Sequence, residues 1–536
     1  MSAILTPVTR SGRERMQQSL RLAAAVMALL AAGIAAAVMV RPTPGLSTQA
    51  LWFLVIAAAV GLYMAMNIGA NDVANNMGAP VGAGAISLGG AIVLAAIFEA
   101  LGAIIAGADV VGTIKGGIID MRAFAQPERF TWLMLAALLA GALWLNLATV
   151  LGAPVSTTHS IIGAVAGAGI AAGGWGVVNW GTISSIVLSW VVSPLFGGAV
   201  AAAVLYLSKR LITYQADMRA AAGRRVPLLI AAMVWATATY MLLKGLNNVM
   251  KISFGQALLA GLAVAVAAFV LLRGPVARRA ATLPSTKEGV NELFTWPLVF
   301  AAALLSFAHG ANDVANAIGP LAAIYEAVLH GAVVAKAVTP LWILVLGALG
   351  LAVGLALYGG RLILTVGKEI TELDRMRAYA IAMAATITVI IASQLGMPVS
   401  TTHVSIGAVF GVGFLRELLK VNYARMEAVV RAAHQGEDRE IVEAYLRRFE
   451  AAPVQEKKRM LAEMKQRAKA MERRGELQPG WFSKKERKAF KKAYKEEIVK
   501  RSMVMRIVAA WIVTVPAAAL LAALAYRVVE WLLLAA

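Results

Sequence analysis

Gly69–Asn75 reads GANDVAN and Gly310–Asn316 reads GANDVAN again; Pro154–His159, PVSTTH, follows the first, and Pro398–His403, PVSTTH, follows the second. From Asn71 to Ser156 is 85 positions and from Asn312 to Ser400 is 88. Two different words recurring in the same order at nearly the same separation mark an internal duplication. The chain therefore reads as two copies of one module, Leu51–Leu207 and Leu293–Ala536.

The ground around these words is apolar. Of the 536 residues 60% are hydrophobic and 15% charged, well below the quarter of charged residues usual in soluble domains, and the mean hydropathy is +0.73. The apolar residues come in blocks: Leu22–Val40, Leu51–Ile68, Ala91–Ala106, Trp132–Leu151, Thr182–Leu207, Val226–Leu243, Gln256–Leu272, Pro340–Tyr358, Ala378–Ala392 and Met503–Ala536. Each reaches or approaches the roughly 20 residues a helix needs to cross a bilayer, and one soluble core could not hide so much apolar surface. The fold class is an all-α polytopic membrane protein. No cysteine is present, which excludes a disulfide framework and thiolate metal sites.

The net charge of +21 does not point to nucleic acid, because its location explains it. Arg416–Arg501 carries 24 Lys/Arg against 14 Asp/Glu, about half of the excess. Basic loops between apolar helices follow from the positive-inside bias. With the N-terminal tail, Lys209–Arg225, Arg273–Lys287, Arg361–Arg377 and Arg416–Arg501 all cytoplasmic, the first module starts outside and the second inside. The modules are then inverted-topology repeats, a common plan for secondary transporters. The expected divisions are an N-terminal tail and extra helix over 1–50, the first repeat over 51–207 and linkers with a helical hairpin over 208–292. The main part of the second repeat spans 293–414, a basic helical insertion 415–502 and the last helix 503–536. The run Leu22–Val40 exceeds the core of a secretory signal and reads as a retained helix. Placement in the cell membrane follows, with the N-terminus cytoplasmic and the C-terminus outside.

Within this frame the duplicated words carry chemistry. A carboxylate at membrane depth is costly and by default lines a cavity or meets a cation. Asn71, Asp72 and Asn75, with Asn312, Asp313 and Asn316, offer oxygen ligands suited to a hard cation such as Na⁺. Gly69 and Gly310 allow an unwound backbone whose carbonyls add ligands. A kinked helix with internally bonded Asn would explain one copy; the identical duplication favours the functional reading. In PVSTTH, proline disfavours helix continuation and Ser/Thr caps a new one. Ile161–Gly169 and Val404–Gly413 are then re-entrant half-helices whose N–H groups and dipole ends suit an anion. Ser156, Thr157, Thr158, Ser400, Thr401 and Thr402 supply hydroxyls for a tetrahedral oxyanion. Neither motif holds Arg or Lys, so the compensating charge travels with the substrate, which favours symport. His159 and His403 read as structural hydrogen-bonding groups. His309 aligns with Ile68, which excludes a symmetric role, and Glu99, a lone acid in an apolar run, is a coupling or gating candidate.

The pair GANDVAN and PVSTTH, duplicated in inverted halves, resembles the inorganic phosphate transporter (PiT) family, which includes sodium–phosphate symporters. The likeness covers about two-thirds of the chain. Phe98–Gly102 (FEALG), Gly116–Asp120 and Phe307–Pro320 (FAHGANDVANAIGP) resemble its sodium-coupled branch. The resemblance implies that Asn71, Asp72, Asn312 and Asp313 help bind cations and phosphate while the two STT segments cradle the anion. The partners expected are inorganic phosphate, a coupling cation and the lipid bilayer, with no organic cofactor and no nucleic acid; a homo-oligomer is compatible with this plan. H⁺-coupled phosphate or sulfate transport is the rival reading. Phosphate, which keeps a proton at neutral pH, can donate to Asp72 or Asp313, whereas sulfate can only accept. An anion channel would need a continuous polar pore rather than two short polar patches, a receptor is a further reading, and no nucleophile–base pair or metal-ligand cluster marks an enzyme.

Overall fold

The computed structural model describes residues 12–40, 46–124, 126–153, 155–244, 252–330, 339–369, 373–432 and 501–535. What was expected of tail residues 1–11, of Pro154 and of 433–500 in the basic insertion lies outside the described residues. Helices account for almost all of the rest. They are α1 (Gly12–Val40), α2 (Thr48–Gly82), α3 (Leu88–Ala106), α4 (Ala108–Gly116), α5 (Pro127–Leu151), α6 (Thr157–Gly173) and α7 (Trp180–Ser208). The middle of the chain forms α8 (Met218–Lys244), α9 (Phe254–Thr282) and the short α10 (Lys287–Leu293). Then come α11 (Thr295–Asp313), α12 (Ala315–His330), α13 (Leu341–Tyr358), α14 (Gly360–Glu369), α15 (Arg375–Gln394), α16 (Thr401–Ala432) and α17 (Arg501–Ala535). Among the described residues, eleven spans are long and apolar enough to cross a membrane. Their outer faces keep Leu188, Leu195, Leu259, Leu271 and Trp531 exposed, as expected where lipid rather than water is the surrounding solvent.

Val155–His159 and Val399–His403 sit at the tips of two helical hairpins, and the local sequence explains the turn. The entering arms end at Gly152 and Gly396, both left-handed with φ of 71° and 65°. There Ala153 N–H donates to Ala148 O (2.9 Å) and Met397 N–H to Ala392 O (3.0 Å), closing each helix end. The returning arms start at Ser156 and Ser400, whose Oγ atoms accept from the His159 and His403 backbone N–H groups at 3.1 and 3.2 Å. The returning arm of the first hairpin comes back to the end from which the hairpin entered. Asp120 N–H donates to Val177 O (3.1 Å) and Asn179 N–H to Ile118 O (2.8 Å), which ties the segment before α5 to the segment after α6.

The GANDVAN segments depart from expectation. α2 runs unbroken from Thr48 to Gly82 through the first copy, and the only interruption in the second falls at Val314, whose backbone is still helical (φ −57°, ψ −32°). The glycines therefore do not unwind the chain. They remove a side chain where two backbones touch: a Cβ on Gly69 would overlap the Leu351 carbonyl, and one on Gly310 the Glu99 carbonyl. The returning arms are packed the same way across modules. Gly163 and Gly167 of α6 meet the α17 backbone at Val515 and Ala519, while Gly407 and Gly411 of α16 meet the α7 backbone at Pro194 and Gly198. Each module's last helix thus covers the half-helix of the other, and the two copies interlock around the hairpin tips.

Candidate functional site

The tips and the GANDVAN helices converge on two carboxylates. Asp72 and Asp313 have no exposed surface, so every lone pair must find a partner within the protein or a ligand. Thr157 Oγ1 donates to Asp72 Oδ2 at 2.8 Å and lies 3.4 Å from Asp313 Oδ2. Thr401 Oγ1 donates to Asp313 Oδ2 at 2.8 Å. From the opposite module, Thr402 Oγ1 donates to Asp72 Oδ1 at 2.9 Å, and Asn75 Nδ2 spans Asp72 Oδ1 and Thr402 Oγ1 at 3.0 and 2.9 Å. Asn316 mirrors it by reaching Thr157 and Thr158 of the first tip at 3.3 and 3.2 Å. The two tips also grip each other, Thr158 donating to Val399 O at 3.1 Å and Thr402 approaching Val155 O at 3.5 Å. Reciprocal pairs of this kind describe a pseudo-twofold junction between the repeats.

The other motif residues brace this centre. Asn71 holds the first tip through Thr149 Oγ1 (3.1 Å), Ala153 O (3.3 Å) and Val155 N–H (3.3 Å). Asn312 faces the counterparts Ser393 and Met397. Ser156 and Ser400 act as helix caps, one shell back from the carboxylates. His159 and His403 point the other way, into a ladder Trp190–His159–His403–Trp511 with ring centroids 3.7, 4.3 and 3.6 Å apart. His403 keeps the expected hydrogen-bonding role, its Nδ1 lying 3.4 Å from Trp190 O, whereas both ring nitrogens of His159 are buried without a hydrogen-bond partner and its setting is defined by ring contacts.

Sequence reasoning missed the role of His309. One helical turn before Asp313, it sends Nε2 to 3.1 Å from Asp313 Oδ2 and 3.8 Å from Asp72 Oδ2. Its Nδ1 lies 3.2 Å from Glu99 Oε1, which also accepts from Asn76 Nδ2 at 2.8 Å. Glu99 is thereby joined to the centre. The spacing His309–Asp313 puts both on one helix face, a signal the comparison with Ile68 concealed. Asp72, His309 and Asp313 bring ligand atoms within 4.8 Å of one another, so the imidazole shares the space in which a cation could meet the carboxylates.

A polytopic helical protein whose hairpin tips meet at buried carboxylates and hydroxyls has the build of a membrane transporter. Residues 68–522 match the model of the phosphate transporter family. A Helicobacter pylori (strain J99) protein named "Putative phosphate permease" is 49% identical over 528 residues, covering 96% of each chain. A Pyrococcus abyssi protein with a phosphate-permease name is 40% identical over 378 residues, 70% of this chain and 93% of that one. Among solved structures, "The sodium-dependent phosphate transporter" superposes with a TM-score of 0.71 at 30% identity, covering 89% of this chain and 99% of that chain. The chain belongs to the phosphate transporter family. It is a multi-pass membrane protein of a transporter family, not of an enzyme family.

Proposed function

We propose that this protein imports inorganic phosphate across the cell membrane by symport with a cation, Na⁺ in preference to H⁺. The observation that carries the reading is Thr157 Oγ1 lying within 2.8 and 3.4 Å of carboxylates from opposite repeats. That junction puts the half-helix N-termini, suited to an anion, beside two carboxylates suited to cations. An anion arriving alone would be repelled by Asp72 and Asp313; two unit charges 4 Å apart at an effective dielectric constant of 20 cost about 4 kcal/mol. Cations entering with phosphate remove that repulsion, and carboxylate, amide and hydroxyl oxygens favour a hard ion. The sodium-dependent name of the structural neighbour agrees. Phosphate uptake into proteoliposomes under separately imposed Na⁺ and pH gradients tests the proposal. Accumulation should follow the Na⁺ gradient; accumulation driven only by the pH gradient, or of sulfate alone, would overturn it.

The hydroxyls give a graded test. Thr157→Ala and Thr401→Ala each delete one hydrogen bond to a charged group, about 1.5–3 kcal/mol, or roughly ten- to a hundredfold in phosphate affinity. Backbone N–H groups remain, so binding should weaken rather than vanish. Unchanged affinity in both variants would reduce PVSTTH to a structural cap.

The proposed topology has the two repeats antiparallel, the N-terminus and basic loops in the cytoplasm and Ala536 outside. The exposed Arg122 precedes α5 in a chain without native cysteine. Cysteine at Arg122→Cys should be labelled by an impermeant maleimide from outside the cell. Labelling only from the cytoplasmic side would overturn the inverted arrangement.

A further inference from the structure

The close contacts that pair the repeats also say which residues correspond. Gly69 sits against Leu351 O, and Gly310 against Glu99 O; Gly354 sits against Met66 O, and Gly102 against Phe307 O. Leu351 therefore occupies in one half the place that Glu99 occupies in the other, and Ile68 the place of His309. Asn76, which donates to Glu99, has Ala317 as its counterpart. One half thus carries a polar chain, Asn76–Glu99–His309, where the other packs Ala317, Leu351 and Ile68, all three buried in one apolar cluster. A duplicated fold accommodates the apolar set at this place, so packing does not require the polar one.

The asymmetry reaches the carboxylates. Asp72 is held by Thr157, Thr402 and Asn75. Asp313 takes Thr401 and His309, while Asn316, the counterpart of Asn75, is turned to Thr157 and Thr158 and leaves its Oδ1 buried without a partner. His309 Nε2 stands nearest to Asp313 Oδ2 yet also faces Asp72 Oδ2, in the space between the carboxylates.

We propose that His309, braced by Glu99, is a built-in occupant of the space between the two carboxylates, so that the coupling cations bind in order, first at Asp72 and then at Asp313 as His309 withdraws onto Glu99. This rests on the cation-coupled reading above. His309 Nε2 makes no aligned hydrogen bond, yet at 3.1 Å from Asp313 Oδ2 and 3.8 Å from Asp72 Oδ2 it fills the place of a cation meeting Asp313, so the second cation must displace it. Asn75 and Thr402 also donate to Asp72, but a primary amide or a hydroxyl can turn an oxygen toward an arriving cation, which a ring N–H cannot. His309 is a positioning residue here: it sets when Asp313 becomes available, and it makes one repeat's site unlike the other's.

The internal repeat supplies the test. His309→Ile and Glu99→Leu introduce the residues found at the corresponding places of the other half, and the double variant makes the halves alike there except at Asn76, whose counterpart is Ala317. Radioactive Na⁺ binding to detergent-purified protein is measured without phosphate, followed by Na⁺ activation of phosphate uptake in proteoliposomes. Removing the competitor should lower the half-saturating Na⁺ concentration by about tenfold, the equivalent of about 1.4 kcal/mol. The Na⁺ titration should also lose its ordered, two-step form. His309→Gln, which keeps a side-chain N–H donor, should fall between His309→Ile and the parent; a purely packing role would not order the variants this way. Should the double variant fail to fold, the His309→Gln and parent titrations decide alone, and superimposable curves would overturn the proposal. So would Na⁺ titrations of folded His309→Ile identical to the parent. A parent that binds no Na⁺ would instead overturn the sodium-coupled reading itself, which keeps the two failures apart.

Discussion

Asp72→Asn and Asp313→Asn are each expected to lower Na⁺-driven phosphate uptake by at least about a hundredfold while leaving the protein inserted and monodisperse. Each substitution removes a charge from a fully buried site but keeps the side-chain shape. An amide oxygen can still accept from Thr157 at position 72 or from Thr401 at position 313; at position 72 the amide nitrogen then faces Asn75 and Thr402, which can turn their oxygens toward it. What disappears is the attraction to a bound cation, about 4 kcal/mol at 4 Å in a medium of effective dielectric constant 20, or roughly a thousandfold in affinity. Uptake assays paired with radioactive Na⁺ binding separate this from a loss of phosphate recognition. Normal cation-dependent transport in both variants would mean that neither carboxylate holds a coupling ion.

The same carboxylates show how much could be read from the chain alone. Duplication made the site visible: a polar word within an apolar run has several explanations, but the same word twice, followed twice by PVSTTH, has few. Apolar block length gave the helices, and Ser156 and Ser400 gave the hairpin tips, because capping is a local property. The packing of the tips against the opposite module was not legible, since no local pattern encodes which half-helix meets which last helix. The glycines were misread for a related reason. Gly69 looks the same whether it unwinds a helix or admits the Leu351 backbone, and only the tertiary contact decides. Glu99 stood out as a lone acid in an apolar run, but its partner His309 escaped because the reasoning leaned on symmetry, and the polar chain they form exists in one half only.

Gly310→Ala is expected to be the most damaging of the small substitutions outside the polar residues. The added methyl would overlap the Glu99 carbonyl, and neither side of that contact is a flexible side chain able to move aside. Overpacking a tight interior contact costs about 1–3 kcal/mol, with backbone displacement. The displacement falls at a sensitive place: Gly310 lies one helical turn from Asp313 and next to His309, and the opposing backbone is that of Glu99. Moving α11 off α3 therefore shifts three of the residues meeting at the site. The variant should melt several degrees below the parent in detergent and lose at least about tenfold in uptake, since an ångström-scale misplacement of aligned groups can cost roughly a hundredfold in a chemical step. Gly69→Ala, pressed against the Leu351 carbonyl, should lose comparable stability through the matching contact of the other half. Gly89→Ala is the control. It lies on the same helix as Glu99 with nothing within 4 Å of an added Cβ, and alanine there should be neutral or slightly stabilising. Gly310→Ala protein that melts and transports like Gly89→Ala would show that the helices can separate without disturbing the carboxylates. The close backbone contact would then have no part in setting the site.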